Sequence, residues 1–307
     1  MLKFTLRRVL KGILCVWFIW TLIFFMVRLT GDPTDWMLPD GASDAEIAKL
    51  RASMHLDEPL SKQYVDSLTD LFHGEAGQSY YYKRDVTGLY AERLATTLKL
   101  AVPAFTLAIL LGVTLGSYAA IRHNSMGDRI AMSGAVVLYT VPAFCLGIIM
   151  IFIFSMKLKL LPSFGSETPL HLIMPMITLA ASPMATIARL TRSSMLDTMS
   201  REYIDGARMK GIGELALTIR HGLRNSLIPV VTGVGMQLGT ILGGAVVVEN
   251  VFTWPGMGML LVTAAKQRDF PTVQFGVLIV ALSVTITNIL IDISYGYLDP
   301  RIRESFK

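Results

Sequence analysis

The chain has 307 residues, of which 52% are hydrophobic and only 17% charged, with a mean hydropathy of +0.52. Soluble domains carry roughly 25% charged residues, and the apolar residues here gather in stretches about as long as a bilayer is thick. That excludes a disordered chain, a collagen-like fibre and a disulfide scaffold, and argues against an ordinary soluble enzyme. The net charge is +5, from 28 Lys and Arg against 23 Asp and Glu. A basic balance fits either nucleic acid or loops that obey the positive-inside rule, so the placement of the charges has to decide.

Six segments have the length and apolarity of membrane spans: 9–29, 94–120, 130–156, 170–190, 227–248 and 273–290. The first follows Lys3, Arg7, Arg8 and Lys11 and resembles a signal peptide. Its end reads FFMVRLTGDP, with bulky residues where cleavage needs small ones, so it is read as an uncleaved anchor. The loop 30–93 holds 12 acidic and 6 basic residues and is expected to face outward as a small helical cap. In it, Ser43-Asp44-Ala45-Glu46 forms a capping box ahead of Ile47, Leu50 and Met54. A second helix is predicted over 59–72, with Leu60, Tyr64, Leu68 and Leu71 or Phe72 as its apolar stripe. The cap reads either as a structural cover or as a docking surface.

Span two carries Gly112 and Gly116, and span four is interrupted by Pro175 and Pro183. Span five carries Gly235, Gly239 and Gly243 at four-residue intervals, with Thr232, Gln237 and Thr240 beside them. Glycines so spaced let helix backbones approach closely; they serve packing, or line a path. Cys15 and Cys145 lie in apolar runs and read as small hydrophobes. Lys99 and Asp292 sit near opposite ends of their spans, positions suited to snorkelling or helix-end pairing rather than to a proton relay. Sixteen basic residues fall on the side of the N-terminus and four in the two short loops opposite. This places both termini in the cytoplasm.

Catalytic signatures are missing. No HExxH, GxSxG or GxGD occurs, and the dipeptide Gly-Lys needed by a phosphate-binding P-loop is absent. No metal site and no catalytic residue is expected.

The segment 191–226 reads REYIDGARMKGIGELALTIRHGLRN through its latter part. Ser200 is the expected N-cap of a short helix, with Glu202 and Asp205 in its first turns, Arg208 and Lys210 in its last, and Gly211 as its stop. Gly206 and Ala207 leave room for a close partner, and Tyr203 shares the face of Ala207. Such a helix is either a peg for another protein's groove or an amphipathic helix on the lipid surface.

The order Asp205-Gly206-Ala207, three residues, then Gly211 resembles the EAA-type loop of bacterial ABC-importer permeases, with Asp for Glu and Gly for the first Ala. YIDGARMKG followed by HGLRNSLIPVVT is similar to the dipeptide, oligopeptide and nickel branch of that family. The series continues along nearly the whole chain with RLTGDP, LDEPLSKQY, VPAFCLG, VVVENVFTWPGMG, RDFP and YLDPRIR. Arg224 stands where the general pattern has proline, and Pro229 follows five residues later, as in the peptide branch.

The resemblance implies an all-α integral membrane protein of six transmembrane helices with the type I ABC-importer permease fold and a small extracytoplasmic cap. Its expected organisation is an anchor at 1–29, a cap at 30–93, a core at 94–298 with the coupling loop at 191–226, and a cytoplasmic tail at 299–307. It implies a second homologous permease, forming a heterodimer, two ATPase subunits that bind ATP and Mg, and an extracytoplasmic binding protein, in a bacterial inner membrane. Neither a cofactor nor nucleic acid is expected on this chain. The ATPase-coupling residues would be Glu202, Tyr203, Asp205, Gly206, Ala207, Arg208, Lys210 and Gly211. Gly235, Gln237, Gly239, Thr240 and Gly243 are candidates for pathway or packing. Glu249, Trp254, Pro255, Gly256, Arg268 and Asp269 are candidates for an outer gate or a binding-protein contact, with Trp254 alternatively an interfacial anchor. The implied cargo is a dipeptide or oligopeptide, with glutathione and nickel chelates as alternatives. An ion-driven carrier is the competing reading from another class.

Overall fold

A long apolar run must satisfy its own backbone once water is excluded, and the helix does so residue by residue. The computed structural model describes residues 2–29, 31–37, 42–213 and 216–298. The side chains of Lys3 and Asp292, and the tail 299–307 with Arg301, Arg303 and Lys307, lie outside the described residues. The helices are α1 (Leu2–Leu29), α2 (Thr34–Met37), α3 (Asp44–Ser53), α4 (Leu60–Phe72), α5 (Val86–Ile121), α6 (Met126–Thr140) and α7 (Ala143–Met150). Next come a π-helical segment π1 (Ile151–Lys157), α8 (Leu170–Met199), α9 (Glu202–Met209), a second segment π2 (Leu217–Leu223), α10 (Arg224–Val251), α11 (Met257–Lys266) and α12 (Phe270–Leu298).

Five of these are single helices long and apolar enough to cross a bilayer: Thr5–Leu29, Val86–Ile121, Leu170–Met199, Pro229–Val251 and Phe270–Ile291. The predicted third span is not one helix. It is α6 followed by α7 and π1, bent by 105°. Pro142 is the cause: a residue before proline is driven out of the α region, and Val141 accordingly has φ −73°, ψ 122°. The bent pair still runs from one end of the bundle to the other. Its start is bonded to Arg192 near the end of α8, and the loop after it is bonded to the far end of α10, where Gly165 donates its amide to the Phe252 carbonyl at 3.0 Å.

The core lies where α5, α8 and α10 meet, around Leu100, Met174, Ile187, Ile241, Val248 and Phe252. α5 turns a stripe of small buried residues toward α8: Ala104, Ala108, Gly112 and Gly116 at four-residue intervals. A Cβ on Gly112 would stand 2.8 Å from Ile187. One on Gly116 would overlap the Ala188 carbonyl oxygen. α1 lies outside this core and packs on α12, where a Cβ on Gly12 would come within 2.8 Å of Thr285 and Ile289.

The cap folds as its turn chemistry dictates. Ser43 and Glu46 form the capping box of α3. α4 lies along the end of α1, with the Tyr64 and Thr21 hydroxyls 2.7 Å apart and Arg28 Nε donating to Gln63 Oε1 at 3.0 Å. Its stripe follows the expected one at Tyr64, Leu68 and Leu71: Leu68 and Leu71, with the outer residue Phe72, line an apolar groove of about 300 Å³ against α1 and α12, while Leu60 departs from it and is exposed. The buried residue of α4 is Gln63, which also donates to the carbonyls of Leu56 and Glu58.

Asp85 caps α5, taking the Gly88 amide at 2.8 Å. The Thr87 hydroxyl and that amide hold its carboxyl below the usual carboxylate range. A depressed native pKa adds stability that is fully present above the unfolded value and is lost as pH falls through the native one. Amide exchange at Gly88 and Leu89 is therefore expected to be slow at neutral pH and to accelerate, relative to its intrinsic rate, as pH drops below about 4. A protection factor that stays flat to pH 2 would refute the assignment.

Candidate functional site

At one end of the bundle the chain leaves α8, forms α9 and returns through π2 into α10. Ser200 does not cap α9. Helix α8 continues to Met199, so Ser200 becomes its C-cap and the Ser200 hydroxyl donates back to the Asp197 carbonyl at 3.0 Å. The N-cap of α9 is Arg201, in extended backbone and without a side-chain cap bond. The stop is as expected. Gly211 has φ +79°, its amide donates to Arg208 O at 3.0 Å, and the Ile212 amide donates to Ala207 O at 3.4 Å. Those two bonds make a Schellman termination, which needs a residue tolerant of the left-handed region.

One side chain fixes α9 to the bundle: Ile204 is fully buried. Tyr203 is about half exposed, and its hydroxyl accepts from Asn225 Nδ2 at 3.1 Å, tying α9 to the first turn of α10. The rest of the helix is presented outward. Glu202, Asp205, Arg208, Met209, Lys210 and Gly211 are exposed, and Gly206 and Ala207 are partly so. Asp205 and Arg208 pair with each other at 2.8 Å. An added Cβ on Gly206 would meet nothing within 4 Å. Met209 is a large apolar side chain that is 84% exposed. Ile204 and Asn225 escape a reading that follows only the Tyr203 face, although Ile204 is the sole aliphatic residue among the polar ones that open the helix. Ile204→Ala is expected to cost about 2–4 kcal/mol of local stability through the cavity it leaves. Faster amide exchange over 202–212, with weaker retention of any protein docked there, would show it; unchanged exchange would deny that Ile204 is the anchor.

Above α9, the start of α6 is stapled to α8. Asp128, buried, accepts from Arg192 Nε at 2.6 Å and Nη2 at 2.7 Å, and from the Asn124 amide at 3.0 Å.

The opposite end of the bundle holds the segment 249–271. Glu249, at the end of α10, is fully buried. It takes the Thr97 hydroxyl at 2.6 Å and the amides of Gly258 and Met259 at 2.7 and 3.1 Å. Trp254 is also buried, and its indole N–H donates to the Thr96 carbonyl at 2.9 Å. Arg93 donates to the Pro255 carbonyl at 3.1 Å. A Cβ on Gly256 would overlap the Glu249 carboxylate. Asp269, fully buried, takes the Ser79 and Thr272 hydroxyls at 2.5 and 2.8 Å and the Tyr80 amide at 2.9 Å, and so fastens the cap to the start of α12. Burial pushes the neighbouring Tyr80 phenol up to about 12. Arg268 lies against Gly31. Glu249, Trp254 and Asp269 are thus corrected as contact residues. Sealed inside the chain, they present no surface to a binding protein, and Trp254 is not an interfacial anchor.

Between the two ends, the glycines of α10 do not share one face. A Cβ on Gly235 would stand 3.1 Å from Ile291 and one on Gly239 would stand 4.0 Å from Val284, while one on Gly243 would meet nothing within 4 Å. Each step of four residues rotates the stripe by about 40°, so Gly243 has turned away from α12. It joins Met236, Thr240 and Val247 on an exposed face, with Gln237 partly buried beside it.

Comparison with known proteins gives a consistent result. Residues 112–304 match the family model for the binding-protein-dependent transport system inner membrane component. Residues 1–101 match the N-terminal model of the same transport-system membrane components. The chain is 40% identical over 304 residues to the glutathione transport system permease protein GsiC of Pectobacterium atrosepticum, covering 99% of each chain. It is 37% identical over 305 residues to the GsiC protein of Escherichia coli K12, again over 99% of each. Among solved structures, a chain of the inward-facing MetNI methionine ABC transporter superposes with a TM-score of 0.56 at 16% identity, covering 69% of this chain and 97% of that one. An amino acid ABC transporter solved with histidines gives 0.55 at 16% identity, over 67% and 92%. The fold is the type I permease fold of those transporters, and the chain belongs to the family of binding-protein-dependent ABC-importer inner-membrane permeases.

Proposed function

We propose that this chain is one of two permease subunits of an ATP-driven importer of short peptides, working by alternating access. The observation that carries the reading is α9: a helix anchored by the single buried side chain Ile204, with Tyr203, Gly206, Ala207 and Met209 turned outward. Two ATPase subunits bearing ATP and Mg dock on α9 and its counterpart in a second, non-identical permease. Glu202, Asp205, Arg208, Lys210 and Gly211 frame the peg. The exposed face of α10 with Thr240 and Gly243, beside Gln237, borders the pathway. The outer turn with Pro255 and Gly256, and Arg268 below it, forms the gate above it. α9 and both termini face the cytoplasm, and the cap faces outward, where the binding protein delivers cargo.

The curated relatives are named for glutathione, itself a short peptide, and their identity of 37–40% over 99% of the chain favours that class. Glutathione is therefore the specific alternative within the peptide reading. Purifying the assembled complex with its binding protein, then identifying the bound small molecule by native mass spectrometry, tests the cargo. A peptide, glutathione included, is the expected result; a nickel chelate in its place would reassign it.

A further inference from the structure

Helix α10 is continuous from Arg224 to Val251. At one end, Asn225 is bonded to Tyr203 of α9 at 3.1 Å. At the other, Glu249 lies about 36 Å away at 1.5 Å per residue. Pro229 lies in its second turn, and beyond it the close approaches of its glycines to neighbouring helices are apolar. Gly235 and Gly239 face Ile291 and Val284 of α12, Gly244 faces Leu179, and Gly258 of α11 abuts the Val246 backbone. Surfaces of this kind allow one helix to slide or rotate past another. Glu249 contrasts with them. Its carboxylate holds the first turn of α11 through the amides of Gly258 and Met259, and holds α5 through the Thr97 hydroxyl, which itself accepts the Met257 amide at 2.9 Å. The first three amides of α11 are thus all taken by Thr97 and Glu249, and every partner of the carboxylate is a donor. The carboxylate acts here as an acceptor throughout and faces the N-terminus of α11.

We infer that Glu249 is a positioning residue of transport: the far end of α10 grips α5 through this carboxylate, and grips α11 through it together with Asn250, whose Nδ2 donates to the Gly258 carbonyl at 3.4 Å, so that motion entering at α9 moves the outer turn as part of the same rigid body. The inference rests on the proposed coupling role of α9 and adds to it the place where the motion leaves the rod. Gly256 belongs to the device, since a side chain there would occupy the carboxylate's position.

The test uses the complete importer in proteoliposomes. Glu249→Gln replaces an acceptor oxygen by a donor facing the α11 amides. Import is expected to fall at least tenfold, and loaded binding protein is expected to stop stimulating ATP hydrolysis, while basal hydrolysis on the partner subunits and subunit stoichiometry stay unchanged. Thr97→Ser, which keeps the hydroxyl, should import normally, and Thr97→Val should behave like Glu249→Gln. A Glu249→Gln complex that imports and responds like the parent overturns the inference, as does one whose basal hydrolysis falls in step with import. Should that variant fail to assemble, hydrogen exchange on the parent complex decides. The Gly258 and Met259 amides should stay protected in both nucleotide-free and vanadate-trapped states, and release in either state would overturn the rigid-body role. Failure of the parent complex to import with ATP and binding protein would instead count against the coupling reading itself.

Discussion

Gly206→Trp is expected to reduce ATP-driven import at least about 100-fold, the effect of losing an interface anchor of about 2.7 kcal/mol, while the chain folds and enters the membrane normally. The reason lies in what surrounds the position. Among the described residues nothing lies within 4 Å of an added Cβ, so the new side chain leaves the helix into open space. A helix interior even gains from losing glycine, by roughly 0.5–1 kcal/mol relative to alanine. An indole projecting from that open position stands where a molecule docked on α9 would lie. Gly206→Ala serves as the control: stable, and close to the parent in import. Thermal unfolding, subunit retention and uptake in proteoliposomes separate the outcomes, and normal uptake by the tryptophan variant would remove Gly206 from the docking face.

Gly116→Val is expected to do the reverse and prevent the chain from accumulating. A Cβ at Gly116 would overlap the Ala188 carbonyl oxygen and would stand 2.7 Å from the Thr191 Cβ. The obstacle is backbone, which cannot rotate aside. Helix α8 would have to move off α5 along the whole small-residue stripe, including Ala108 and Gly112. Overpacking of a tight core costs about 1–3 kcal/mol when side chains can yield, and here the upper end or more applies. Thermal stability of the purified complex and its yield in membranes are the measurements. Parental stability would mean that α5 and α8 are not packed as described. The two glycines are alike in sequence, both set in helices, and only their neighbours distinguish a docking surface from a packing seam.

That contrast shows how much of the architecture is legible in residues alone. Five of the six spans, the capping box at Ser43 and Glu46, the glycine stop at Gly211 and the close approach at Gly112 and Gly116 all follow from local chemistry, and each is seen in the fold. The third span is foreseeable in part, since Pro142 must disturb it, but an apolar window averages over the bend. Ser200 is a good N-cap residue in isolation. The preceding helix runs further than expected and takes it as a C-cap, a competition between elements that local propensity does not resolve. The outer segment is the largest departure. Polar residues beside a span end read as surface, whereas Glu249, Trp254 and Asp269 are buried by partners some 150 to 190 residues away in sequence, Thr97, Thr96 and Ser79. Long-range bonds of that kind leave no periodic trace.

The central claim is that α9 is where another protein's ATP-driven motion enters. A photo-crosslinking amino acid at Met209, exposed and at the end of α9, tests it most directly in the intact importer in a lipid bilayer. The expected result is an adduct with the ATPase subunit whose yield changes when the complex is trapped with ATP and vanadate. Adducts with lipid alone, unchanged by nucleotide, would mean that α9 lies on the membrane surface, and would contradict the account.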